Sequence, residues 1–194
     1  MHSCRFPGSV MLPQAHVFIA TSLDGYIADA QGGIGWLTGL PALEGEDHGY
    51  GAFMAGIDAV VMGSGSFRSV SGFSEWPYAV PVTVMSRHLR AGDIPEALRG
   101  KVSVSGATPL HLMESLGAQG VRRVYVDGGQ VVSSFLRAGL VQRIVLTRVP
   151  VLLGQGLALF HDTGPQRLTH LETRVWAHGF VQSVYAVEGA ALTG

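Results

Sequence analysis

The sequence has little of what marks disulfide-rich, membrane-spanning or polyanion-binding proteins. It contains a single cysteine, Cys4, and no paired Cys/His spacing, so we expect neither an internal disulfide nor a metal site. Charged residues make up 14% of the chain and the formal net charge is −1, which gives no attraction for polyanions. Polar residues interrupt every apolar run well before the roughly 20 residues that a membrane helix needs. We therefore expect a small-molecule substrate, no nucleic acid and no membrane as partners.

Hydrophobic residues are abundant instead, at 47% of the 194 residues. This surplus over charged residues favours a buried subunit interface, as in a homodimer. The length suits one domain, which we place at residues 15–188, with a flexible N-terminal arm at 1–14 and a tail at 189–194. Residues 1–12 have no apolar region typical of a signal peptide. Together with the low cysteine content, this predicts a cytoplasmic protein.

Short runs rich in valine and isoleucine predict the strands of one sheet. Six of them lie at residues 16–21, 58–62, 80–85, 101–104, 122–126 and 142–147. Helical stretches separate them, which is typical of a mostly parallel sheet covered on both faces. Two later runs, 168–177 and 180–187, flank His178 and Gly179 and predict a hairpin with a two-residue turn. The expected fold class is α/β, with a single mixed, mostly parallel sheet flanked by helices and a C-terminal antiparallel hairpin.

Apolar spacing and capping residues predict the helices. One helical face is formed by Tyr50, Phe53, Met54 and Ile57. A second helix has Thr108 as its N-cap and Pro109 in its first turn, and Gly117 suits the C′ position after its end. A third covers residues 130–138 and stops at Gly139.

Two predicted strands run directly into glycines that open a helix, at residues 60–67 and 124–130. In a parallel sheet both strands end at the same edge, where helix N-termini present unpaired N–H groups and the positive end of the helix dipole. Glycine lets the backbone approach an anion closely, so the two turns together favour a dinucleotide pyrophosphate. Either turn alone is equally consistent with a tight strand-to-helix connection. Arg87, after a third strand, would bind the 2′-phosphate of NADP or is an ordinary surface residue.

Taken in order, these segments resemble the dihydrofolate-reductase-like family. The matching residues are 20–28 (ATSLDGYIA), 60–63 (VVMG), 85–87 (MSR), 126–129 (VDGG), 134–136 (SFL), 139–141 (GLV) and 150–156 (PVLLGQG). The most similar branch is the reductase domain of bacterial riboflavin-pathway deaminase-reductases and its stand-alone relatives, over about residues 15–187. The resemblance implies a dihydrofolate-reductase-like fold, a homodimer, and NADPH bound across the sheet edge with its nicotinamide facing a substrate cleft.

The resemblance also implies a role for individual residues. The phosphates would contact one helix start at Gly63, Ser64, Gly65 and Ser66, and the pyrophosphate would contact the other at Gly128, Gly129, Gln130 and Val131. The adenosine end would contact Ser86 and Arg87, and the nicotinamide would contact Ala20, Ile27 and Ala28. Ser64 and Ser66 replace the arginine and threonine usual in the family, so NADH is an alternative cofactor. Asp127 stands where riboflavin-pathway enzymes commonly have glutamate.

A hydride reductase also needs a proton donor and a substrate surface. In dihydrofolate reductases the acid precedes the Met-Gly strand end, and Asp47 has the matching spacing. Apolar rings beside it would raise its pKa, although Glu44, Glu46 and Asp47 can equally form a solvated first-turn cluster. Asp24 is a rival catalytic acid or closes its loop. Substrate contacts are expected from Trp36, Tyr50 and Asp127, of which Trp36 is otherwise a core residue and Asp127 a cap.

The predicted function is an NADPH-dependent reductase that transfers a hydride to a small heterocyclic, carbonyl or imine substrate, either pterin-like or riboflavin-precursor-like. An alternative is a non-catalytic NADP(H)-binding module of the same fold that acts as a sensor or a dimeric binding protein. A third hypothesis is a purely structural dimer, for which the low charge content is the only motive.

Overall fold

The computed structural model describes residues 11–40 and 46–189. Its strands are β1 (Gln14–Thr21), β2 (Tyr26–Ala28), β3 (Ala59–Gly63), β4 (Val82–Met85), β5 (Val102–Ser105), β6 (Arg123–Asp127), β7 (Val141–Arg148), β8 (Leu157–Ala158), β9 (Leu168–Val175) and β10 (Val181–Val187). Its α-helices are α1 (Gly35–Thr38), α2 (Tyr50–Met54), α3 (Ser64–Ser71), α4 (Pro109–Ala118) and α5 (Gly129–Arg137). Two short 3₁₀ helices, Ala91–Asp93 and Glu96–Leu98, lie between β4 and β5.

Eight of the strands form one sheet in the order β5-β4-β3-β6-β1-β7-β10-β9. The first six in this order run parallel, and β10 is antiparallel to both of its neighbours. The remaining two, β2 and β8, pair with each other in a small separate ladder. The expected mixed, mostly parallel sheet with a C-terminal antiparallel hairpin is confirmed.

Apolar side chains cover both faces of the sheet. On one face, α4 and α5 contribute Met113, Val132 and Phe135 to a core that also contains Val17 and Val126. On the other face, α3 contributes Phe67 to a second core, against which the Tyr50 and Phe53 side chains of α2 pack. Because strand side chains alternate between faces, neighbouring residues such as Val60 and Val61 belong to different cores.

The structure corrects two predictions, namely the glycine that follows α4 and the length of the hairpin turn. Gly117 lies inside α4, and the left-handed residue after this helix is Gly120, with φ +84°. The hairpin turn has three residues rather than two, because the Trp176 N–H still donates to the Phe180 carbonyl at 3.0 Å. Gly179, with φ +93°, takes the left-handed position that such a loop requires.

Some predicted features fall at or beyond the limits of the described residues. Strand β1 begins at Gln14, the last residue of the predicted arm, and residues 1–10 of that arm lie outside the described part. The same holds for Glu44 and for most of the tail, from residue 190 onward. Within the described ranges, no helix has the length and apolarity to span a bilayer.

Candidate active site

The sheet has a topological switch point between β3 and β6. These strands are adjacent and parallel, with Met62 opposite Asp127. The chain leaves β3 through α3 toward β4, on one face, and leaves β6 through α5 toward β7, on the other. Crossovers that diverge in this way open a crevice at the carboxyl ends of the strands, where open α/β sheets bind their ligands. The two predicted anion-binding turns, at Gly63 and at Gly128, lie at this crevice.

The two turns touch each other. Gly128 has φ +88°, and a Cβ atom placed on it would lie 2.6 Å from the Ser66 hydroxyl oxygen and 3.8 Å from the Gly63 nitrogen. A Cβ atom placed on Gly65 would meet no neighbouring atom within 4 Å, so the surface of α3 is open at this residue. Therefore Gly128 must be glycine both for its backbone conformation and for the close approach of α3.

Gly129 has a second reason to be glycine, whereas its predicted contact with the pyrophosphate stays a prediction. A Cβ atom on Gly129 would lie 2.5 Å from the Ala158 carbonyl oxygen and 3.0 Å from that of Leu159. The small residue is thus required by the segment that contains β8, which lies over the start of α5. Ser133 ties the same segment to α5, because its hydroxyl accepts the His161 N–H at 2.9 Å.

Asp127 ends β6 in the crevice, between the starts of α3 and α5. Burial raises the pKa of its carboxyl above the usual range, although donation from the Ser66 hydroxyl, the Gly128 N–H and the Tyr125 hydroxyl offsets part of the rise. The Tyr125 hydroxyl lies 3.3 Å from Asp127 Oδ1 and 3.0 Å from the Phe18 carbonyl oxygen. A carboxyl with a raised pKa that is still partly exposed holds its proton more readily than an ordinary aspartate and is placed to donate it.

An aromatic wall lies beside Asp127 on the α2 face of the sheet. The Phe18 ring is 5.6 Å from the Tyr50 ring and 5.0 Å from the Phe53 ring, and Phe53 meets Tyr125 edge-on at 5.3 Å. Burial, and then the nearby charge of Asp127, raises the pKa of Tyr50 to about 12. The structure therefore brings together Tyr50 and Asp127, both predicted to contact substrate.

The expected pKa rise of Asp47 is wrong. Its exposed carboxylate accepts the Gly51 N–H at 2.7 Å and the Gly49 N–H at 2.8 Å, and these bonds lower its pKa. Asp47 is therefore a solvated carboxylate, as the alternative interpretation held, although it lies just before α2 rather than in its first turn and accepts N–H groups at the start of that helix. A carboxylate that two N–H donors hold ionised is a poor proton donor.

Asp24 closes its loop rather than facing the aromatic wall. Its carboxylate accepts the Ser22 hydroxyl at 2.6 Å, the Gly154 N–H at 2.8 Å and the Leu153 N–H at 3.2 Å. These bonds, first of all that from Ser22, lower the pKa of Asp24. The arrangement ties the loop after β1 to residues 151–154, which is the loop-closing alternative.

The remaining predicted residues lie around the same sheet edge. Ala28 is buried in β2, and Ile27 packs against the core that contains Val131. Ala20 is a partly buried residue near the end of β1. In the first turns of their helices, Ser64 is partly exposed and Gln130 is exposed. Their roles toward a cofactor stay predictions.

Two other predicted groups lie on loops and on a short helix. The Ser86 hydroxyl accepts the Leu89 N–H at 3.0 Å and so shapes the loop after β4, on which Arg87 is exposed. Trp36 lies in the four-residue α1, half-buried, and its indole N–H has no hydrogen-bond partner in the part of the chain that the structure describes.

Sequence reasoning missed Phe18 and Tyr125 as site residues. Both are aromatic residues within predicted strands, at positions whose neighbours in sequence are buried on the other face. Two-residue alternation along β1 and β6 was therefore the signal that could have assigned them to the α2 face. The described residues contain no group of three side chains suited to a metal ion.

Known proteins resemble the chain in sequence and in fold. The family model for the RibD C-terminal domain matches residues 13–181. The chain belongs to the RibD C-terminal domain family. This RibD-type domain is 34% identical to a crystal structure of a Shewanella sp. PV-4 protein assigned to riboflavin biosynthesis, with a TM-score of 0.84 over 90% of this chain and 99% of that one. The dihydrofolate-reductase-like fold that the resemblance implies is thereby confirmed.

Two other proteins are similar to this chain in sequence. Over 184 residues it is 29% identical to YwjB, an uncharacterized protein of Bacillus subtilis (strain 168), covering 89% of this chain and 93% of YwjB. Over 164 residues it is 30% identical to the riboflavin biosynthesis protein RibD of Corynebacterium ammoniagenes, covering 78% of this chain and 48% of that protein. The chain thus spans about half the length of this second relative.

Proposed function

We propose that the protein is an NADPH-dependent reductase that transfers a hydride to a ribosylaminopyrimidine-like heterocycle, with Asp127 as the proton donor. The observation that carries the proposal is the position of Asp127. Its carboxyl has a raised pKa, accepts the Tyr125 hydroxyl at 3.3 Å and lies at the switch point, two residues before the first residue of α5. The crevice thus combines two helix N-termini with an acid beside an aromatic wall.

The residues at the crevice fit a dinucleotide. A side chain on Gly128 would collide with Ser66, whereas Gly65 leaves open space at the start of α3. Ser64, Gly65 and Ser66 would hold one phosphate at α3, and Gly128 and Gln130 the other at α5, by the N–H groups and dipoles of the helix starts. When bound there, NADPH supplies the hydride. Arg87 is the group that would favour NADPH over NADH.

Asp127 supplies the proton that the reaction needs, and its neighbours stabilise the carboxylate that is left. Reduction of a C=N or C=O bond places a pair of electrons on the heteroatom, which must then take up a proton. A protonated Asp127 supplies it. The resulting carboxylate keeps the Ser66 hydroxyl, the Gly128 N–H and the Tyr125 hydroxyl as donors, so the charge that forms on Asp127 is stabilised without rearrangement.

The aromatic wall supports a flat substrate. Phe18, Tyr50 and Phe53 present ring surfaces beside Asp127, and such surfaces favour a planar heterocycle over an aliphatic carbonyl compound. A Thermotoga maritima neighbour of the same fold is described as a diaminohydroxyphosphoribosylaminopyrimidine deaminase and 5-amino-6-(5-phosphoribosylamino)uracil reductase. We propose that the substrate here belongs to that class, and that the protein acts in the cytoplasm.

The first experiment is a thermal-shift titration of the purified protein with NADPH and with NADH. A ligand that binds only the folded state stabilises it by RT ln(1 + [L]/Kd), about 2.7 kcal/mol at 100 Kd. We expect a rise in Tm with NADPH that exceeds the rise with NADH, and Arg87→Ala should remove the difference. No rise with either would contradict the dinucleotide site.

Turnover is tested next by following NADPH absorbance at 340 nm. The substrates are 5-amino-6-(5-phosphoribosylamino)uracil and, for comparison, dihydrofolate. Oxidation of NADPH by the aminouracil supports the proposal. Binding of NADPH without turnover on either substrate would favour the alternative, a non-catalytic module, for which the serines at positions 64 and 66 are the motive.

We also propose that the protein is a homodimer that pairs through β9. This strand forms one edge of the sheet, all eight of its residues are exposed, and Leu168, Leu171 and Val175 are large apolar residues among them. A long exposed edge strand is a template for another strand, and a second copy supplies an identical one across a twofold axis. Light scattering at micromolar concentration should give twice the 20.5 kDa monomer mass, and Leu171→Lys should give a monomer. A wild-type monomer would contradict the proposal.

A further inference from the structure

A pair of histidines outside the cleft joins two distant parts of the chain. His48, in the loop before α2, lies with its Nε2 atom 3.0 Å from Nε2 of His178, in the turn between β9 and β10. At this distance one ring donates an N–H and the other accepts it, so the two neutral rings must be opposite tautomers. The pair is therefore a hydrogen bond that exists only while one of these nitrogens is unprotonated.

Aromatic rings enclose the histidine pair. His48 stacks on Phe180 with ring centres 5.0 Å apart and an angle of 27°, and meets Trp176 edge-on at 5.0 Å. The ring centres of His178 and Phe180 are 4.3 Å apart. His178 Nδ1 is buried with no hydrogen-bond partner among the residues that the structure describes. A proton added to such a ring therefore gains no acceptor at that atom.

The β9–β10 hairpin also holds the backbone at His48. Gln182 of β10 is buried, at 6% exposure, and its side-chain amide donates to the His48 carbonyl at 3.1 Å and to the Thr147 hydroxyl at 3.0 Å. His48 has φ +55°, a conformation that few residues other than glycine adopt without support. The hairpin thus holds the loop before α2 by one hydrogen bond between two side chains and by a second from the Gln182 side chain to the His48 backbone carbonyl.

The contact between the hairpin and His48 positions Tyr50. Helix α2 has only five residues, none of them buried, and a helix this short is not stable without tertiary contacts. Tyr50 is its first residue, two positions after His48, and packs against Phe18 in the aromatic wall. The place of Tyr50 in the candidate site therefore depends on the loop that the hairpin holds.

We propose that the histidine pair is a pH-dependent positioning device, which holds Tyr50 in the aromatic wall while the pair is neutral and releases the loop before α2 when both rings are protonated. Only its effect on catalysis rests on the proposed function, because the contact itself exists without cofactor or substrate. His48 and His178 are positioning residues, since they act through Tyr50.

The direction of the pH effect follows from the surroundings of the pair. Burial, and then the neighbouring His178, lowers the pKa of His48, while the carboxylates of Glu46 and Asp47 oppose this. Of these, Glu46 already accepts the His48 backbone N–H at 2.7 Å. A lowered folded-state pKa means that the contact is complete above the ordinary value of 6.5 and weakens as the pH falls below it.

The test measures the histidines and the loop without any ligand. In ¹⁵N-labelled protein at pH 8, NMR should show opposite tautomers for His48 and His178, and the hydrogen bond between them should be lost as the pH is lowered. Amide exchange in residues 46–54 should rise at least tenfold between pH 7.5 and pH 5, after correction for the intrinsic pH dependence of exchange. His178→Ala should show that fast exchange already at pH 7.5.

Two variants make the result specific. His178→Gln keeps a neutral hydrogen-bonding group, so it should restore slow exchange at pH 7.5 and abolish the rise at pH 5. His88→Gln removes an exposed histidine from the loop after β4 and should behave as the wild type. Identical tautomers, or an exchange rate in residues 46–54 that His178→Ala leaves unchanged, would overturn the proposal. Because no cofactor or substrate enters these measurements, they stand or fall separately from the proposed reductase activity.

Discussion

The end of β6 and the loop before α2 each present an aspartate, and the surroundings of the two carboxyl groups are opposite. Asp127 lies beside Ser66, Tyr125 and the aromatic wall, and burial raises its pKa. Asp47 is exposed and receives two backbone N–H groups, which lower its pKa. The residue type is the same, so the surroundings alone decide which carboxyl has the raised pKa that a proton donor needs.

The largest expected effect is on turnover. Asp127→Asn removes the proton but keeps the size of the side chain, and loss of a general acid costs about 10²- to 10⁴-fold in rate. We expect kcat to fall at least about 100-fold, with the Kd for NADPH unchanged within about threefold, measured by NADPH oxidation and by thermal shift. Asp127→Glu keeps a carboxyl and should lose less activity. A wild-type kcat in the asparagine variant would remove Asp127 from the mechanism.

The second effect is on cofactor binding at the same region. Gly128→Ala forces an L-residue to φ +88° and places Cβ against the Ser66 hydroxyl, so we expect destabilisation of about 1–3 kcal/mol and NADPH binding at least tenfold weaker. Gly100→Ala is the matched control, because Gly100 has φ +82° with open space around its Cβ direction. It should lose stability through backbone strain but keep NADPH affinity. Equal affinity in both variants would contradict the contact between the two turns.

A smaller effect is expected on thermal stability when Asp47 is replaced. Asp47→Ala removes the acceptor for Gly49 and Gly51, which should lower Tm by on the order of 2–4 °C. Asp47→Asn can still cap α2 and should keep most of the Tm. If kcat falls as steeply for Asp47→Asn as for Asp127→Asn, the contrast between the two aspartates does not hold.

The smallest effect is on the pH dependence of stability, where the two aspartates have opposite signs. Because the pKa of Asp127 is raised, its contribution to the stability of the folded protein falls as the pH rises above the ordinary value of 3.8. Because the pKa of Asp47 is lowered, its contribution to stability falls as the pH drops below that value. Asp127→Asn should therefore raise Tm at pH 8 relative to the wild type and lose this advantage near pH 4. A lower Tm for this variant at both pH values would contradict the burial cost of the Asp127 carboxylate.

Local patterns were sufficient to predict the sheet and the position of the crevice. The valine-rich runs, the Thr108 N-cap and the stop at Gly139 depend on neighbours in sequence, and the structure confirms each of them. The glycines at positions 63 and 128 were predicted to lie together because parallel strands end at one edge, and they do.

What could not be predicted depends on residues far apart in sequence. Asp47 looked like a buried acid because apolar residues follow it, but its solvent exposure is a property of how α2 lies on the sheet. The requirement for glycine at position 129 comes from carbonyl groups near residue 158. The contact of His48 with His178 spans 130 residues, and neither residue lies in a segment with a periodic pattern.

The contrast between the two aspartates is tested most directly by a ¹³C NMR titration of the side-chain carboxyl groups in the ligand-free protein, with Asp127→Asn and Asp47→Asn used to assign the signals. The account predicts that Asp127 titrates above, and Asp47 below, the ordinary aspartate value of 3.8. The reverse order, or two equal titrations, would contradict the assignment of Asp127 as the proton donor.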